Sequence, residues 1–183
     1  MANLSQSLTP AVFLDRDGTL MHDAGYLSDP AGVEIYPGVA ETLGRLKAAG
    51  YRLVIVTNQS GIGRGYFTEA QYHEVAARVE ELLGPGLIDA TYFCPDHSEA
   101  PSNHRKPNPG MLLDAAAHLD IDLAKSWMIG DRDGDVQAGV SAGAQSILVQ
   151  TGIGANASSE GAVFVAKDLA EAASFILRQT HAR

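Results

Sequence analysis

Short apolar runs alternate with amphipathic stretches along the chain, and this alternation predicts a parallel β-sheet covered by helices on both faces. Strands are predicted at residues 11–15, 51–57, 90–94, 126–130 and 145–149. Helices are predicted near residues 38–49, 68–83, 109–119, 134–142 and 168–179. Because no repeat, low-complexity tract or linker divides this α/β pattern, we expect a single domain over residues 1–183.

Polar residues follow several of the predicted strands at the point where the apolar run ends. Asp15, Thr57 and Asp131 come directly after such runs, whereas Lys106 follows a longer segment after the third strand. In open α/β sheets, ligands bind outside the carboxyl ends of the strands. We therefore expect these four residues to contribute to one site.

The segment Asp15-Arg16-Asp17-Gly18-Thr19 carries the strongest chemical signal in the sequence. Two carboxylates one residue apart repel each other, and their burial is unfavourable unless a cation binds. Mg²⁺ typically uses one or two carboxylates together with substrate phosphate oxygens. Aspartates near strand ends also form turns or cap helices, but a close pair in this setting favours a metal-assisted phosphate site.

These residue types suit a two-step phosphoryl transfer. Asp15 is the expected nucleophile, which attacks phosphorus and becomes an aspartyl phosphate. Asp17 is expected to protonate the leaving alkoxide and later to take a proton from the attacking water. Asp131 is the expected additional carboxylate for the metal ion, and Asp135 is expected to fix the loop or the start of the next helix.

Two further clusters offer groups that bind phosphate. The segment Thr57-Asn58-Gln59-Ser60 has suitable hydroxyl and backbone donors, although alone it fits a polar turn equally well. Arg105 and Lys106 precede Pro107-Asn108-Pro109, and a stiff loop favours a positioned lysine over a solvated one. The glycine-rich segment 152–157 is expected to be a surface loop, because no convincing helix follows it.

The composition limits the partners. A net charge of −9 and the lack of a basic run argue against a nucleic-acid-binding surface. The single cysteine, Cys94, excludes an internal disulfide and is typical of a reducing cytosol. Residues 1–10 are polar without a signal-peptide pattern, and no apolar stretch approaches the roughly 20 residues that span a bilayer. We therefore expect a cytoplasmic protein with no membrane or nucleic-acid partner.

Four motifs resemble those of the haloacid dehalogenase superfamily of phosphotransferases. They are Asp15-x-Asp17-Gly18-Thr19, Thr57, Lys106 and Gly130-Asp131, in that order. The longer strings at 13–19, 56–62 and 105–111 are similar to those of the D-glycero-D-manno-heptose 1,7-bisphosphate phosphatases and the related histidinol-phosphate phosphatases. The resemblance covers roughly residues 11–177, and it implies a three-layer Rossmann-like fold of the haloacid dehalogenase type with almost no cap.

The resemblance also implies a role for each matching residue. Asp15 would be nucleophile and Mg²⁺ ligand, Asp17 would be acid/base and a ligand through its backbone carbonyl, and Asp131 would be a further Mg²⁺ ligand. The residues that hold the phosphoryl group would be Thr57, Arg105 and Lys106. Those on the sugar side would be Asp23 to Tyr26, Asn58, Gln59 and Ser60, with Arg132 beside the metal loop. A monomer that removes the 7-phosphate of a heptose bisphosphate for lipopolysaccharide biosynthesis is implied.

The chain departs from the family at a loop that commonly binds zinc. The segment Phe93-Cys94-Pro95-Asp96-His97 keeps the first cysteine, but Asp96 stands where the family has a ligand histidine. Residues 98–104 form a shortened stretch without a further cysteine. Since a structural site needs four well-spaced donors, we expect no structural Zn²⁺. The alternative is a site built from Cys94, Asp96 or His97, and His104.

Two alternatives stay open at the level of the sequence. A phosphoacceptor receiver module also uses a parallel sheet, clustered aspartates, Mg²⁺, a threonine and a lysine. In a receiver the phosphorylated aspartate follows a central strand, whereas here the second strand ends in Thr57-Asn58 and the additional acid is Asp131. This order favours the enzyme. Within the enzyme class, histidinol phosphate or another small sugar phosphate is the alternative substrate.

Overall fold

A computed structural model describes residues 8–181 and contains a six-stranded sheet in which every pair of neighbouring strands is parallel. The strands are β1 (Ala11–Leu14), β2 (Arg52–Asn58), β3 (Ala90–Cys94), β4 (Trp127–Gly130), β5 (Gln145–Val149) and β6 (Phe164–Ala166). Their order in the sheet is β3-β2-β1-β4-β5-β6. The chain adds β2 and β3 on one side of β1 and then β4, β5 and β6 on the other side, so that β1 and β4 are the two central strands and β2 is the other neighbour of β1.

Helices connect the strands. They are α1 (Val39–Ala48), α2 (Ser60–Gly63), α3 (Glu69–Leu83), α4 (Gly110–Leu119), α5 (Asp133–Ala142) and α6 (Leu169–His181). Short 3₁₀ turns lie at Pro30–Gly32, Leu123–Lys125 and Gly154–Asn156. Between β1 and α1, and between β3 and α4, the described chain has no helix longer than the three-residue turn at Pro30–Gly32, so almost no cap covers the sheet edge.

The strand residues alternate between two hydrophobic layers, because successive side chains of a strand point to opposite faces. Val12 and Leu14 pack with residues of α1, α3 and α6 on one face. Ala11 and Phe13 pack with residues of α4 and α5 on the other face. The predicted three-layer α/β fold with a central parallel sheet is therefore confirmed.

The structure differs from the sequence prediction at three places. Strand β6 was not predicted, although it lies within the short apolar run at residues 162–166; of its three residues only Ala166 is fully buried. Helix α2 is a single turn, too short for a periodic signal. Pro109 was expected in the first turn of its helix but lies at the N-cap of α4.

The described part of the chain also bears on the expected location. In residues 8–181 no helix has both the length and the apolar character needed to cross a bilayer. Residues 1–7, on which the expectation of a start without a signal peptide mainly rests, lie outside the described residues.

Candidate active site

The topology brings the predicted polar residues to one edge of the sheet. Because β2, β1 and β4 are neighbours, the residues at their carboxyl ends converge: Thr57, Asp15 and Asp131. A cleft of about 620 Å³ opens at this edge. Its lining includes Asp15, Asp17, Asp23, Tyr26, Thr57, Asn58, Gln59, Ser60, Arg105, Lys106 and Arg132, so the structure brings these predicted residues together. Asp131 lies beneath the cleft and is wholly buried.

Three buried carboxylates form the base of the site. Oxygens of Asp15, Asp131 and Asp135 all lie within 4.8 Å of one another. Asp131 Oδ2 accepts a hydrogen bond from the Ile153 backbone N–H at 2.9 Å. Its buried Oδ1 lies 3.9 Å from Arg132 Nε and accepts no hydrogen bond from the described residues. A buried unpaired carboxylate oxygen is strongly unfavourable unless something else binds it. Three carboxylates that converge in this way, one of them with an oxygen that accepts no hydrogen bond, suit Mg²⁺, because this ion prefers oxygen ligands.

Glycines allow the chain to approach the carboxylate of Asp131 closely. Gly18 has φ +83° and Gly152 has φ +55°, and a Cβ at either position would collide with Asp131 Oδ2. Thr151 Oγ1 donates to the Gly18 carbonyl at 2.6 Å, which joins the two segments. Segment 152–157 is a mostly exposed loop, as expected, but it also contacts Asp131, the acid that follows β4, which the sequence did not predict.

Lys106 neutralises part of the carboxylate charge. Its Nζ lies 2.6 Å from Asp15 Oδ1 and 2.6 Å from Asp135 Oδ1, and it donates to the Val56 carbonyl at 2.7 Å. These three contacts use all three ammonium donors. Burial lowers the pKa of Lys106, but Asp135 and Asp15 outweigh that effect, so the net pKa is raised and the ammonium stays charged.

Asp131 and Asp135 both have raised pKa values but differ in which of their oxygens the protein engages. Burial raises the pKa of Asp131 to about 6, with Asp15 adding to the shift. Burial also raises the pKa of Asp135 to about 7, although Lys106 acts in the opposite direction. Asp135 Oδ1 contacts Lys106 and its Oδ2 accepts from the Arg132 backbone N–H at 3.0 Å, so both of its oxygens are occupied by the protein. Asp131 therefore has the more available oxygen for a metal ion.

Asp17 lies in the cleft wall beside the carboxylate cluster. Arg16 donates from Nε and Nη2 to its carboxylate, with the shortest contact at 2.9 Å, and Gln59 Nε2 donates to Asp17 Oδ2 at 3.0 Å. Gln59 Nε2 also lies 2.8 Å from Thr57 Oγ1. Burial raises the pKa of Asp17, and Arg16 opposes that shift. A carboxyl group with a raised pKa is suited to exchange a proton with substrate.

The loop that carries Arg105 and Lys106 is clamped to the end of β2. Asn58 Nδ2 donates to the Lys106 carbonyl at 3.0 Å, and the Lys106 backbone N–H donates to Asn58 Oδ1 at 3.1 Å. The Lys106–Pro107 peptide bond is cis. Arg105 Nη1 is buried without a protein partner, although Arg105 lines the cleft. Its guanidinium is thus an available donor for an anion.

The outer part of the cleft contains the residues expected on the sugar side. Arg132 Nη2 donates to Asp23 Oδ2 at 2.9 Å, which links the loop after β1 to the loop after β4. The Tyr26 ring meets the Tyr66 ring edge-on at a centroid separation of 4.6 Å. Tyr26 is about half exposed and Tyr66 lies outside the lining, so this pair forms the rim.

The loop after β3 holds the residues of the possible zinc site. Cys94 Sγ lies 3.4 Å from Asp96 Oδ2, and burial raises the pKa of the Cys94 thiol. His97 Nδ1 accepts from the Glu99 backbone N–H at 3.2 Å. His104 Nε2 instead contacts Asp114 of α4 at 2.9 Å. Among the described residues, only the group of Asp15, Asp131 and Asp135 places three candidate ligand atoms together.

Sequence reasoning missed part of this site. Arg16 was not assigned a role, yet its side chain is buried against Asp17 and lies 5.7 Å from the Tyr72 ring centroid. Ile153 contributes only its backbone N–H, which donates to Asp131, and a sequence pattern does not reveal a contact of this kind. Asp135 was expected to fix a helix start, which it does through Arg132, but it also contacts Lys106.

Comparisons with known proteins agree with this geometry. The family model described as haloacid dehalogenase-like hydrolase matches residues 12–100, and one described as HAD-hydrolase-like matches residues 103–172. The D-glycero-beta-D-manno-heptose-1,7-bisphosphate 7-phosphatase of Salmonella typhi is 41% identical over 181 residues, which cover 93% of this chain and 96% of the relative. The D-glycero-D-manno-heptose-1,7-bisphosphate 7-phosphatase of Thermosynechococcus vestitus is 39% identical, covering 91% of this chain and 95% of the relative.

A solved structure has the same fold. The D,D-heptose 1.7-bisphosphate phosphatase from B. bronchiseptica, complexed with magnesium and phosphate, superposes with a TM-score of 0.85 at 34% identity. The match covers 93% of this chain and 99% of that one. That crystal structure contains a divalent cation and an oxyanion. The carboxylates of the present cleft suit a divalent cation, and its cationic side chains suit an oxyanion.

The raised pKa values predict how magnesium and pH act on stability. Asp131 and Asp135 have folded-state pKa values of about 6 and about 7, above the unfolded value of about 4. The folded protein therefore binds more protons in this window, so the free energy of unfolding of the metal-free protein falls as pH rises from about 4 to about 7. Magnesium competes with those protons, and we expect it to raise Tm more at about pH 7.5 than at about pH 5.

Thermal unfolding with EDTA and with saturating MgCl₂ tests this expectation. Asp131→Asn should lose most of the magnesium response. Asp133→Asn is the control, because Asp133 is an exposed carboxylate in the same segment and should keep it. An equal magnesium shift in Tm at both pH values, or an unchanged response in Asp131→Asn, would contradict the assignment of the cluster as the cation site.

Proposed function

The chain belongs to the haloacid dehalogenase-like hydrolases and is a phosphatase, and we propose that it removes the 7-phosphate of D-glycero-D-manno-heptose 1,7-bisphosphate. The observation that carries this proposal is the buried cluster of Asp15, Asp131 and Asp135 around Lys106 at the base of a polar cleft. The volume of the cleft, about 620 Å³, is in the range of small-molecule sites and suits a sugar with its phosphates.

In the first step Asp15 attacks phosphorus, so that a bond forms between a carboxylate oxygen and phosphorus while the bond from phosphorus to the sugar oxygen breaks. Lys106 orients the Asp15 carboxylate through its 2.6 Å contact. Asp17 transfers its proton to the departing sugar alkoxide, which leaves as the alcohol. The raised pKa of Asp17 favours the protonated form that this transfer requires.

In the second step a water molecule attacks the aspartyl phosphate. Asp17, now ionised, accepts the proton of this water, and inorganic phosphate leaves while the Asp15 carboxylate is restored. Arg16 and Gln59 hold the Asp17 carboxylate at the cleft wall during both steps.

Asp15, Asp131 and the Asp17 backbone carbonyl are the proposed ligands of Mg²⁺, which when bound neutralises charge on the phosphoryl oxygens. The free Asp131 Oδ1 supports this set. Asp135 instead positions Lys106, because both of its oxygens are engaged by the protein.

The remaining cleft residues would bind substrate. Thr57 and Arg105 are proposed to bind the phosphoryl group through their hydroxyl and guanidinium donors. Lys106, whose three donors are engaged by the protein, is proposed to act on the phosphoryl group through its positive charge. The proposed sugar-side residues are Asp23, Tyr26, Asn58, Gln59, Ser60 and Arg132. We also propose a cytoplasmic monomer built as one domain, with neither nucleic acid nor membrane as a partner, that serves heptose supply for lipopolysaccharide or related glycans.

Replacing the nucleophile tests the mechanism. Asp15→Asn should lower kcat by at least about 10³-fold, because an amide oxygen does not form the acyl phosphate intermediate. Phosphate release from the heptose bisphosphate in MgCl₂ measures this. Asp122→Asn is the control, since Asp122 contacts Lys125 on the surface away from the cleft. A folded Asp15→Asn variant with full activity would rule out the proposed nucleophile.

A substrate panel tests the proposed specificity. Both anomers of heptose 1,7-bisphosphate should be hydrolysed with a higher kcat/KM than histidinol phosphate or other small sugar phosphates. The reason is that Arg132, on the sugar side of the cleft, offers a cation beyond the phosphoryl group that Arg105 and Lys106 serve. A strong preference for histidinol phosphate would overturn the choice of substrate while leaving the phosphatase chemistry intact.

We further propose that the loop after β3 holds no structural Zn²⁺. The thiol of Cys94 contacts Asp96, and His104 is directed to Asp114, which disperses the possible ligands. Elemental analysis of the purified protein after mild chelation should find far less than one zinc per chain, and Cys94→Ser should not alter the metal content. Stoichiometric zinc that leaves only on unfolding would refute this proposal.

A further inference from the structure

Ser102 lies at the centre of a hydrogen-bond network in the loop between β3 and the turn that carries Arg105. Its Oγ accepts from the backbone N–H of His104 at 3.2 Å and from the backbone N–H of Arg105 at 3.1 Å. Its Oγ also lies 3.5 Å from the Cys94 Sγ, and Ser102 is the largest cause that lowers the pKa of the neighbouring Asp96 carboxyl. One donor and two acceptor sites are the full capacity of a serine hydroxyl. Every site is therefore occupied in a fixed direction.

Asp96 fixes the direction of this network. The Cys94 thiol donates to Asp96 Oδ2 at 3.4 Å, so the carboxylate is tied to the last residue of β3. An ionised carboxylate only accepts hydrogen bonds, so the Cys94 thiol proton points toward Asp96 and leaves the sulfur to accept from the Ser102 hydroxyl at 3.5 Å. The lone pairs of Ser102 then accept from the two backbone donors. The rigid sheet is thereby connected to the backbone of Arg105 through a side chain that no catalytic step uses.

The turn after Ser102 is held at both ends. The Ser102 carbonyl accepts from Asn108 Nδ2 at 2.7 Å, so one residue contacts the start and the end of the turn. The Lys106 backbone N–H has its own acceptor in Asn58, whereas the Arg105 backbone N–H has Ser102. Loss of the Ser102 hydroxyl would therefore remove the acceptor of the Arg105 backbone N–H, while the Lys106 backbone N–H would keep its hydrogen bond to Asn58.

The position of the Arg105 backbone matters because it determines where the Arg105 guanidinium lies in the cleft. Its Nη1 is buried without a protein partner and the residue lines the cleft, so its guanidinium is held ready for an anionic oxygen. A misplacement of about 1 Å in such a group has large effects on binding and rate.

We propose that Ser102 is a positioning residue that sets Arg105 for substrate phosphate. The inference rests on the proposed function only in that Arg105 binds phosphate. It does not depend on which sugar carries that phosphate.

The experiment combines single variants with a double-mutant cycle. The variants are Ser102→Ala, Ser102→Thr, Arg105→Ala and the double variant Ser102→Ala/Arg105→Ala. His104→Ala is the control, because it loosens the same loop by removing the contact with Asp114 but leaves the Ser102 hydroxyl bonds in place. The readouts are the Kd of inorganic phosphate in saturating MgCl₂ and kcat/KM with heptose 1,7-bisphosphate.

Ser102→Ala should weaken phosphate binding and lower kcat/KM by about 10-fold, and Ser102→Thr should restore both because it keeps the hydroxyl. In the Arg105→Ala background the Ser102→Ala substitution should have no further effect. His104→Ala should lower Tm without changing the affinity for phosphate. Equal losses with and without Arg105 would overturn the proposal, and so would an unchanged phosphate Kd in folded Ser102→Ala.

Two controls keep the outcome interpretable. If Ser102→Ala does not fold, Asp96→Asn is the second variant, since it retains Ser102 but weakens its orientation. It should cause a smaller loss of phosphate affinity that again vanishes in Arg105→Ala. If the wild type binds phosphate yet fails to hydrolyse heptose bisphosphate, the proposed substrate is wrong while the phosphate affinities still decide the role of Ser102.

Discussion

The site depends on one buried ammonium group placed between two carboxylates. Lys106 Nζ lies 2.6 Å from an oxygen of Asp15 and 2.6 Å from an oxygen of Asp135, and all three side chains are almost wholly buried. Removing these charges from water is costly, and only close pairing with further hydrogen bonds offsets that cost. Strand β1, strand β2, helix α5 and the loop before α4 must all be in place to complete the arrangement. The same contacts that maintain the fold at this edge therefore orient the proposed nucleophile.

Asp131 and Asp135 differ in how many of their carboxylate oxygens remain available to a metal ion. Asp135 has both oxygens engaged by the protein, whereas Asp131 keeps a buried oxygen that accepts no hydrogen bond from residues 8–181. Burial raises the pKa of Asp131 to about 6, so that in the absence of a cation the cluster retains protons that a metal ion would displace. On the other side of the cleft, the backbone N–H groups of Lys106 and Arg105 donate to Asn58 Oδ1 and Ser102 Oγ, and these hydrogen bonds fix the loop. The carboxylates proposed to bind Mg²⁺ and the loop residues proposed to bind phosphate are thus held by two separate sets of contacts, and both sets include Lys106.

The sequence predicted the convergence of Asp15, Thr57 and Asp131, because the carboxyl ends of parallel strands share one edge and apolar runs identify the strands. It did not predict the contact of Asp135 with Lys106, since an acid in the first turn of a helix has an ordinary capping role and the distant lysine gives no local signal. Strand β6 was missed for a different reason: the apolar run at residues 162–166 is short, and so short a run does not by itself distinguish a strand from another buried segment. The backbone N–H of Ile153 became part of the site only through tertiary packing around Gly18 and Gly152.

Acid quenching during steady-state turnover, followed by peptide mapping of the trapped protein, tests the central claim most directly. With heptose 1,7-bisphosphate that carries a labelled 7-phosphate, the account predicts a single labelled acyl phosphate on the peptide that contains Asp15. The label should chase into inorganic phosphate after dilution into unlabelled substrate. Rapid hydrolysis with no label on the protein, or a label on any residue other than Asp15, would contradict the account.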